Sequence, residues 1–123
     1  MSDVSQSISE FERGRAQLAG ISAQKQQLSV QAESLGASIE EIRKTKEEKV
    51  YKFAGSIMLL VPTPEALKDL ESRKESVDLR LKTVEKQENI LVDKLNKLKD
   101  EIEKTQSPQS REKRKNEDES EGN

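Results

Sequence analysis

The chain has 123 residues, of which 37% are charged and 31% are hydrophobic, and its formal net charge is −2. A typical globular domain is ~45–50% apolar, so this chain has too little apolar surface for a thick core, and it is either disordered or packed along a thin seam. The near balance of acids and bases creates no overall field that would favour nucleic acid or an anionic membrane.

The first predicted element is a long helix over approximately residues 4–47. Apolar residues recur in it with the alternating three- and four-residue spacing of heptad positions a and d. Its length of ~40 residues greatly exceeds that of an amphipathic helix in a globular domain, which is the alternative interpretation. The period therefore predicts a coiled coil. The seam residues are Val4, Ser7, Phe11, Gly14, Leu18, Ile21, Lys25, Leu28, Ala32, Leu35, Ile39 and Ile42.

Two glycines are expected to weaken the start of this helix. Gly14 lies in the seam and Gly20 just beside it, and each costs roughly 1 kcal/mol relative to alanine. Because a glycine leaves its core layer thin, we expect the turns with Val4, Ile8 and Phe11 to pack loosely, with apolar side chains partly in water. Ordinary fraying of a helix end explains the same pattern equally well.

The stretch VYKFAGSIMLLV, residues 50–61, is the only long apolar run and predicts a β-hairpin. Gly55-Ser56 suits a two-residue turn between strands at residues 50–54 and 57–61. A buried turn of helix is the alternative, because short apolar runs are ambiguous, but the valine and aromatic content favours strands. Strand pairing places Tyr51, Phe53, Met58 and Leu60 on one face, and Val50, Ala54, Ile57, Leu59 and Val61 on the other face with Lys52.

Both faces of this hairpin are mostly apolar, which predicts oligomerisation. A lone two-stranded hairpin is marginally stable in water, and its open edges invite further strands. One pair of helices cannot cover both faces and both edges, so we expect the hairpin to join a sheet or β-barrel shared between subunits. The predicted assembly residues are Val50, Tyr51, Phe53, Ile57, Met58, Leu60 and Val61.

A second long helix is predicted over approximately residues 64–105. Thr63 can cap its start, and Pro64 is tolerated in the first turn. Its seam is an unbroken heptad pattern: Leu67, Leu70, Lys74, Val77, Leu81, Val84, Glu88, Leu91, Leu95, Leu98 and Ile102. Two helices of nearly equal length, joined by a reversing element, predict a mainly α fold. We therefore expect a long antiparallel two-helix coiled coil with a central β-hairpin over residues 1–105.

Residues 106–123 differ in character from the rest of the chain. They include no apolar residue, and a basic run at residues 111–115 precedes an acidic one. This composition predicts a disordered charged tail. A nuclear signal or an RNA contact in the basic run is a less favoured alternative.

Several classes of chemistry are excluded by the sequence. Cysteine and histidine are absent, which removes disulfides, thiol chemistry and the commonest general base and metal ligand. No glycine-rich phosphate loop or serine nucleophile motif is present. The N-terminal stretch lacks the features of a signal peptide, and no segment approaches the ~18 apolar residues of a membrane span. We therefore expect a cytoplasmic protein that is not an enzyme and that uses no metal or cofactor.

The hairpin, together with LRLKTVEKQ at residues 79–87 and the glutamine-rich QKQQLSVQAESL of the first helix, resembles the prefoldin beta-type subunits over residues 8–104. Departures from the family pattern are Pro62 close to Pro64 after the second strand, Gly20 and Gly36 in the first helix, and the charged tail. The resemblance implies a hexamer of two alpha-type and four beta-type subunits, with the hairpins joined in a β-barrel platform. It also implies that unfolded proteins are held at the coiled-coil tips and passed to a group II chaperonin without ATP. On this chain the tip residues would be Val4, Ile8, Phe11, Leu98 and Ile102.

Two other functions remain open at this stage. A structural coiled-coil adaptor would join defined folded partners and ignore denatured proteins. A nucleic-acid accessory protein would bind through the basic run, and its affinity would fall steeply with salt. Neither alternative explains why the most apolar stretch is a hairpin between two helices of equal length.

Overall fold

The computed structural model describes residues 2–105. It contains four elements in chain order: helix α1 (Ser2–Lys44), strand β1 (Lys49–Ala54), strand β2 (Ile57–Pro62) and helix α2 (Thr63–Thr105). The predicted fold class, mainly helical with two long helices and a central antiparallel hairpin, is confirmed. The predicted disordered tail and its basic run lie outside the described residues.

Heptad periodicity decides which side chains of the two helices are shielded from solvent. Every predicted seam residue of α1, from Val4 to Ile42, is buried or half-buried. The same is true of every predicted seam residue of α2, from Leu67 to Ile102. The seam is narrow, as the low apolar content of the chain requires, because residues at most other positions of both helices are exposed.

The chain forms two compact units. Unit 1 contains the described residues up to Ile21 and from Gln87 onward, and unit 2 spans Ser22–Lys86. The core of unit 1 is a cluster of three buried leucines of α2, Leu91, Leu95 and Leu98, which is completed by side chains of α1. The α1 side chains packed against it are Phe11, Leu18 and Ile21.

Unit 2 contains the hairpin and the helix segments that flank it. Its buried apolar side chains come from both helices: Leu28, Ile39, Ala66 and Val84. An ion pair at the surface, between Arg43 Nη2 and Glu71 Oε1 at 2.9 Å, joins α1 to α2. Since contacts in this unit pair Gly36 with Lys74 and Arg43 with Glu71, the two helix segments run antiparallel.

Helix α1 ends at Lys44, earlier than the end expected near residue 47. The Thr45 N–H still donates to the Glu41 carbonyl at 3.1 Å. The Glu47 N–H instead donates to Thr45 Oγ1 at 3.3 Å. A threonine hydroxyl that accepts from a nearby backbone N–H offers the chain an alternative to the helix, and this local bond accounts for the early end.

The hairpin has the register expected from a Gly55-Ser56 turn. Tyr51 lies opposite Leu60 and Phe53 opposite Met58, and the ladder ends with Ala54 opposite Ile57 at the turn and Lys49 opposite Pro62 at the base. Gly55 has a φ of +65°, and no other described residue has a positive φ. A positive φ at the first turn residue alone is the pattern of a type II′ turn, which matches the twist of the flanking strands.

Candidate functional site

One face of the hairpin, named the outer face, consists of Tyr51, Phe53, Met58 and Leu60. All four side chains are large and apolar or aromatic, and all are more than half exposed, with Phe53 at 74% and Tyr51 at 68%. Their pairing across the strands brings them together as one patch. Large exposed apolar patches are rare on monomeric proteins and mark interaction sites.

The opposite face, named the inner face, consists of Val50, Lys52, Ala54, Ile57, Leu59 and Val61. Val50 and Val61 are half-buried near the base of the hairpin, whereas Ile57 and Leu59 remain about half exposed. The helices of unit 2 therefore cover only the base of this face. This agrees with the expectation that a pair of helices cannot cover the whole hairpin.

Hydrogen bonds fix the base of the hairpin to the start of α2. The Thr63 N–H donates to the Glu48 carbonyl at 2.9 Å, which continues the strand ladder by one further pair. Thr63 Oγ1 donates to the Glu47 carbonyl at 2.7 Å. Thr63 therefore both begins the helix and holds the incoming chain, so the hairpin is attached to α2 without a free linker.

A groove of about 540 Å³ lies between the hairpin and the helices in unit 2. Apolar residues of both helices line it, including Ile42, Ala66 and Leu70, and β1 contributes Val50 of the inner face together with Tyr51 and Phe53 of the outer face. Charged side chains lie at the same groove: Glu41, Lys52, Asp69 and Arg73. Tyr51 and Phe53 therefore take part in this groove as well as in the exposed patch of the outer face.

The predicted tip residues all belong to unit 1, but they differ in exposure. Ile8 is 41% exposed, and Val4 and Ile102 are half-buried. Leu98 is buried at 7% within the leucine cluster, and Phe11 packs against that cluster. Among the five predicted tip residues, Ile8 is therefore the most exposed, whereas Leu98 and Phe11 pack in the core of unit 1.

The expectation of a thin core layer at Gly14 is wrong. Gly14 is buried, and an ideal Cβ built on it would lie 2.6 Å from Leu95 Cδ2 and 3.8 Å from Leu91 Cδ1. The Leu95 side chain occupies the space that a larger residue would have taken. The glycine thus allows close packing in unit 1.

Sequence reasoning missed a charged residue that contacts the hairpin, Asp69, and the arginine that pairs with it. Asp69 Oδ2 of α2 lies 3.2 Å from Lys52 Nζ and 3.3 Å from Arg73 Nε. The signal was Lys52 itself, which is a lone charge on a mostly apolar face and therefore requires a partner. Its partner could not be identified from the sequence because α2 carries many acidic residues.

The described residues contain neither a metal site nor a membrane span. Within residues 2–105, acidic side chains nowhere gather into a group that could hold a metal ion. Over the same residues, neither helix has a stretch apolar enough to cross a bilayer.

Comparison with known proteins identifies the family. The sequence matches the family described as Prefoldin subunit over residues 5–109. The chain belongs to the prefoldin family. It is 34% identical over 98 residues to a prefoldin subunit beta of Pyrobaculum arsenaticum, with 79% of each chain covered. It is 31% identical over 100 residues to a prefoldin subunit beta of Methanothrix thermoacetophila, with 80% of this chain and 83% of that protein covered.

A solved prefoldin structure has the same fold. The prefoldin beta subunit from Thermococcus strain KS-1 superposes with a TM-score of 0.83 at 25% identity, covering 88% of this chain and 96% of that chain. The resemblance to prefoldin beta-type subunits drawn from the hairpin and the LRLKTVEKQ stretch is thereby confirmed. Prefoldin subunits are chaperone components that assemble with one another, and they are not enzymes.

Proposed function

We propose that this chain is a subunit of an ATP-independent chaperone that holds non-native proteins and delivers them to a group II chaperonin in the cytoplasm. Its partners would be alpha-type prefoldin subunits, in a hexamer of two alpha-type and four beta-type chains. The hairpins would join in a β-barrel, and clients would be held at the tips of the helices, through the predicted tip residues that remain accessible, Val4, Ile8 and Ile102.

The exposed hairpin is the observation that carries the assembly part of this proposal. Four large side chains of the outer face are each more than half exposed, although a hairpin of two strands is marginally stable in water. Covering this face with strands of other subunits would remove apolar surface from water and satisfy the open edges. Membership of a family whose subunits assemble supports the same conclusion.

The exposed apolar side chains of unit 1 support the client-binding part. Ile8 is 41% exposed next to the half-buried Val4, and Ile102 at the other end of the helical region is half-buried. Such small apolar surfaces bind many unfolded sequences weakly and with little specificity. Several subunits acting on one client raise the overall affinity without a new kind of contact.

Light scattering tests the proposal directly. A chemically denatured protein is diluted into buffer with this chain alone, with an alpha-type prefoldin subunit alone, or with both, in the absence of ATP. We expect suppression of aggregation that is strongest in the mixture. A stable assembly of the two chains that leaves aggregation unchanged would overturn client holding and favour the structural adaptor.

A further inference from the structure

Lys52 is an unusual residue for its position. It lies in the middle of β1 opposite Leu59, on an inner face whose other members are all apolar. Its ammonium group is 3.2 Å from Asp69 Oδ2, and the two side chains are 36% and 35% exposed. The pair is therefore partly shielded from water, and it joins the hairpin directly to α2.

Asp69 is held in place by a second cation. Arg73, one turn later on α2, places its Nε 3.3 Å from the same Asp69 Oδ2. An ion pair at this spacing along a helix forms independently of the hairpin. The Asp69 carboxylate is thus fixed on the surface of α2, at the position where it receives the Lys52 ammonium group.

Apolar burial alone does not decide which face of the hairpin turns toward the helices. The outer face has four large apolar or aromatic residues, and the inner face has five aliphatic residues of similar total size. The backbone bond between Thr63 and Glu48 lies in the plane of the ladder, so it holds the base of the hairpin and contacts neither face. Lys52 distinguishes the faces, because turning the hairpin over would leave its charge without the Asp69 partner.

We propose that the Lys52–Asp69 ion pair is an orientation latch that turns the inner face toward α2 and presents the outer face to neighbouring subunits. This inference rests on the proposed function, in which the outer face contacts those subunits. The latch contributes little to the stability of the single chain, because half-exposed ion pairs are weak. The ion pair favours the orientation with the inner face toward α2 over the reversed orientation, which buries a similar amount of apolar surface. Assembly therefore begins from chains whose outer face is already accessible to other subunits.

The single tyrosine of the chain provides a direct readout. Tyr51 lies on the outer face at 68% exposure, and the sequence has no tryptophan. Its fluorescence, quenched by acrylamide in the dilute full-length chain, reports the orientation of the hairpin without requiring assembly. The variants are Lys52→Glu, Asp69→Lys and the double charge swap, the last made together with Arg73→Glu so that position 69 again has an oppositely charged neighbour one turn later. Lys68→Glu is the control, since it makes the same charge change beside Asp69 at an exposed residue with no ion pair among the described residues.

We expect Lys52→Glu and Asp69→Lys each to lower the acrylamide quenching constant of Tyr51. Each should also raise the dissociation constant for an alpha-type subunit about three- to fivefold for every hairpin that contacts that subunit. We expect the double swap to restore both quantities and the Lys68→Glu control to change neither. Unchanged quenching in both single variants, or a double swap that behaves like the single variants, would overturn the latch. If quenching of Tyr51 falls in the single variants and recovers in the double swap while assembly is the same in all of them, the latch is supported and the assembly role of the outer face is overturned.

Discussion

The contact between Gly14 and Leu95 gives the sharpest test of the packing in unit 1. Gly14→Ala improves the intrinsic helix propensity of α1 by about 1 kcal/mol, so propensity alone predicts a more stable protein. The new methyl group would, however, lie 2.6 Å from Leu95 Cδ2, whereas carbon atoms in contact prefer roughly 3.5–4.0 Å. Leu95 would have to move by about 1 Å to restore that separation.

Leu95 has little room for such a movement. It is 5% exposed and is clustered with Leu91 and Leu98, which are buried as well. Overpacking of a core costs about 1–3 kcal/mol, which equals or exceeds the gain in propensity. We therefore expect Gly14→Ala to lower the free energy of unfolding by up to about 2 kcal/mol.

Gly20 provides the matched control, since it lies six residues later in the same helix. It is exposed, and an alanine Cβ there would have no neighbour within 4 Å. Gly20→Ala should therefore raise the free energy of unfolding by roughly 0.5–1 kcal/mol. Urea unfolding of the full chain, followed by far-UV circular dichroism at one fixed protein concentration, measures both values.

A double-mutant cycle separates the clash from other effects. Leu95→Ala removes the atoms that the new methyl group at position 14 would meet, so it should cost less in the Gly14→Ala background than in the original protein. We expect a coupling of about 1–3 kcal/mol between the two positions, as found for residues in direct contact. Equal stabilisation by Gly14→Ala and Gly20→Ala would contradict the clash with Leu95, as would simple additivity of Gly14→Ala and Leu95→Ala.

Two further predictions separate the surfaces of the molecule and test its hairpin base. Phe53→Asp should abolish co-elution with an alpha-type subunit in size-exclusion chromatography, whereas Ile8→Ser should leave co-elution intact and weaken suppression of aggregation. Val30→Ser removes an exposed aliphatic residue of unit 2 and is the control, which should change neither co-elution nor suppression of aggregation. Equal losses of both properties in all three variants would contradict separate surfaces for assembly and client binding. Thr63→Val should lower the free energy of unfolding by about 1 kcal/mol, since it removes the bond to the Glu47 carbonyl. Thr83→Val is the control, because the Thr83 hydroxyl donates to the Leu79 carbonyl on the exposed surface of the same helix. It should lower the free energy of unfolding far less in the same urea titration.

The sequence was sufficient for features that depend on local periodicity. The heptad spacing predicted seam positions that are all shielded in the structure, since the same spacing places them on one side of a helix. It did not include Ala66, which is buried as well. The hairpin register followed from the Gly55-Ser56 turn, because a two-residue turn fixes which residues lie opposite each other. Tyr51, Phe53, Met58 and Leu60 were therefore placed correctly on one face of the hairpin.

Features that depend on contacts between distant segments could not be predicted in this way. Gly14 was expected to leave a thin layer, but Leu95, which lies far away in the sequence on α2, fills the space beside it. Leu98 was expected at an exposed tip, but the side chains that α1 adds to its cluster bury it. The partner of Lys52 was equally hidden, since heptad spacing does not say which acidic residue of α2 lies beside the hairpin.

Pro62 makes the two edges of the hairpin unequal. Thr63 and Glu48 form a hydrogen-bonded pair of the antiparallel ladder. Hydrogen-bonded and non-hydrogen-bonded pairs alternate along such a ladder, so the backbone N–H and C=O groups of the next pair, Lys49 and Pro62, point away from the hairpin. Proline has no N–H, so the free edge of β2 lacks a hydrogen-bond donor at its base. The hairpin itself loses no hydrogen bond, because position 62 faces away from β1. The corresponding edge of β1 keeps the donor of Lys49. An edge that lacks a donor pairs less well with a further strand, so Pro62 disfavours the stacking of identical hairpins along β2, in the most apolar segment of the chain.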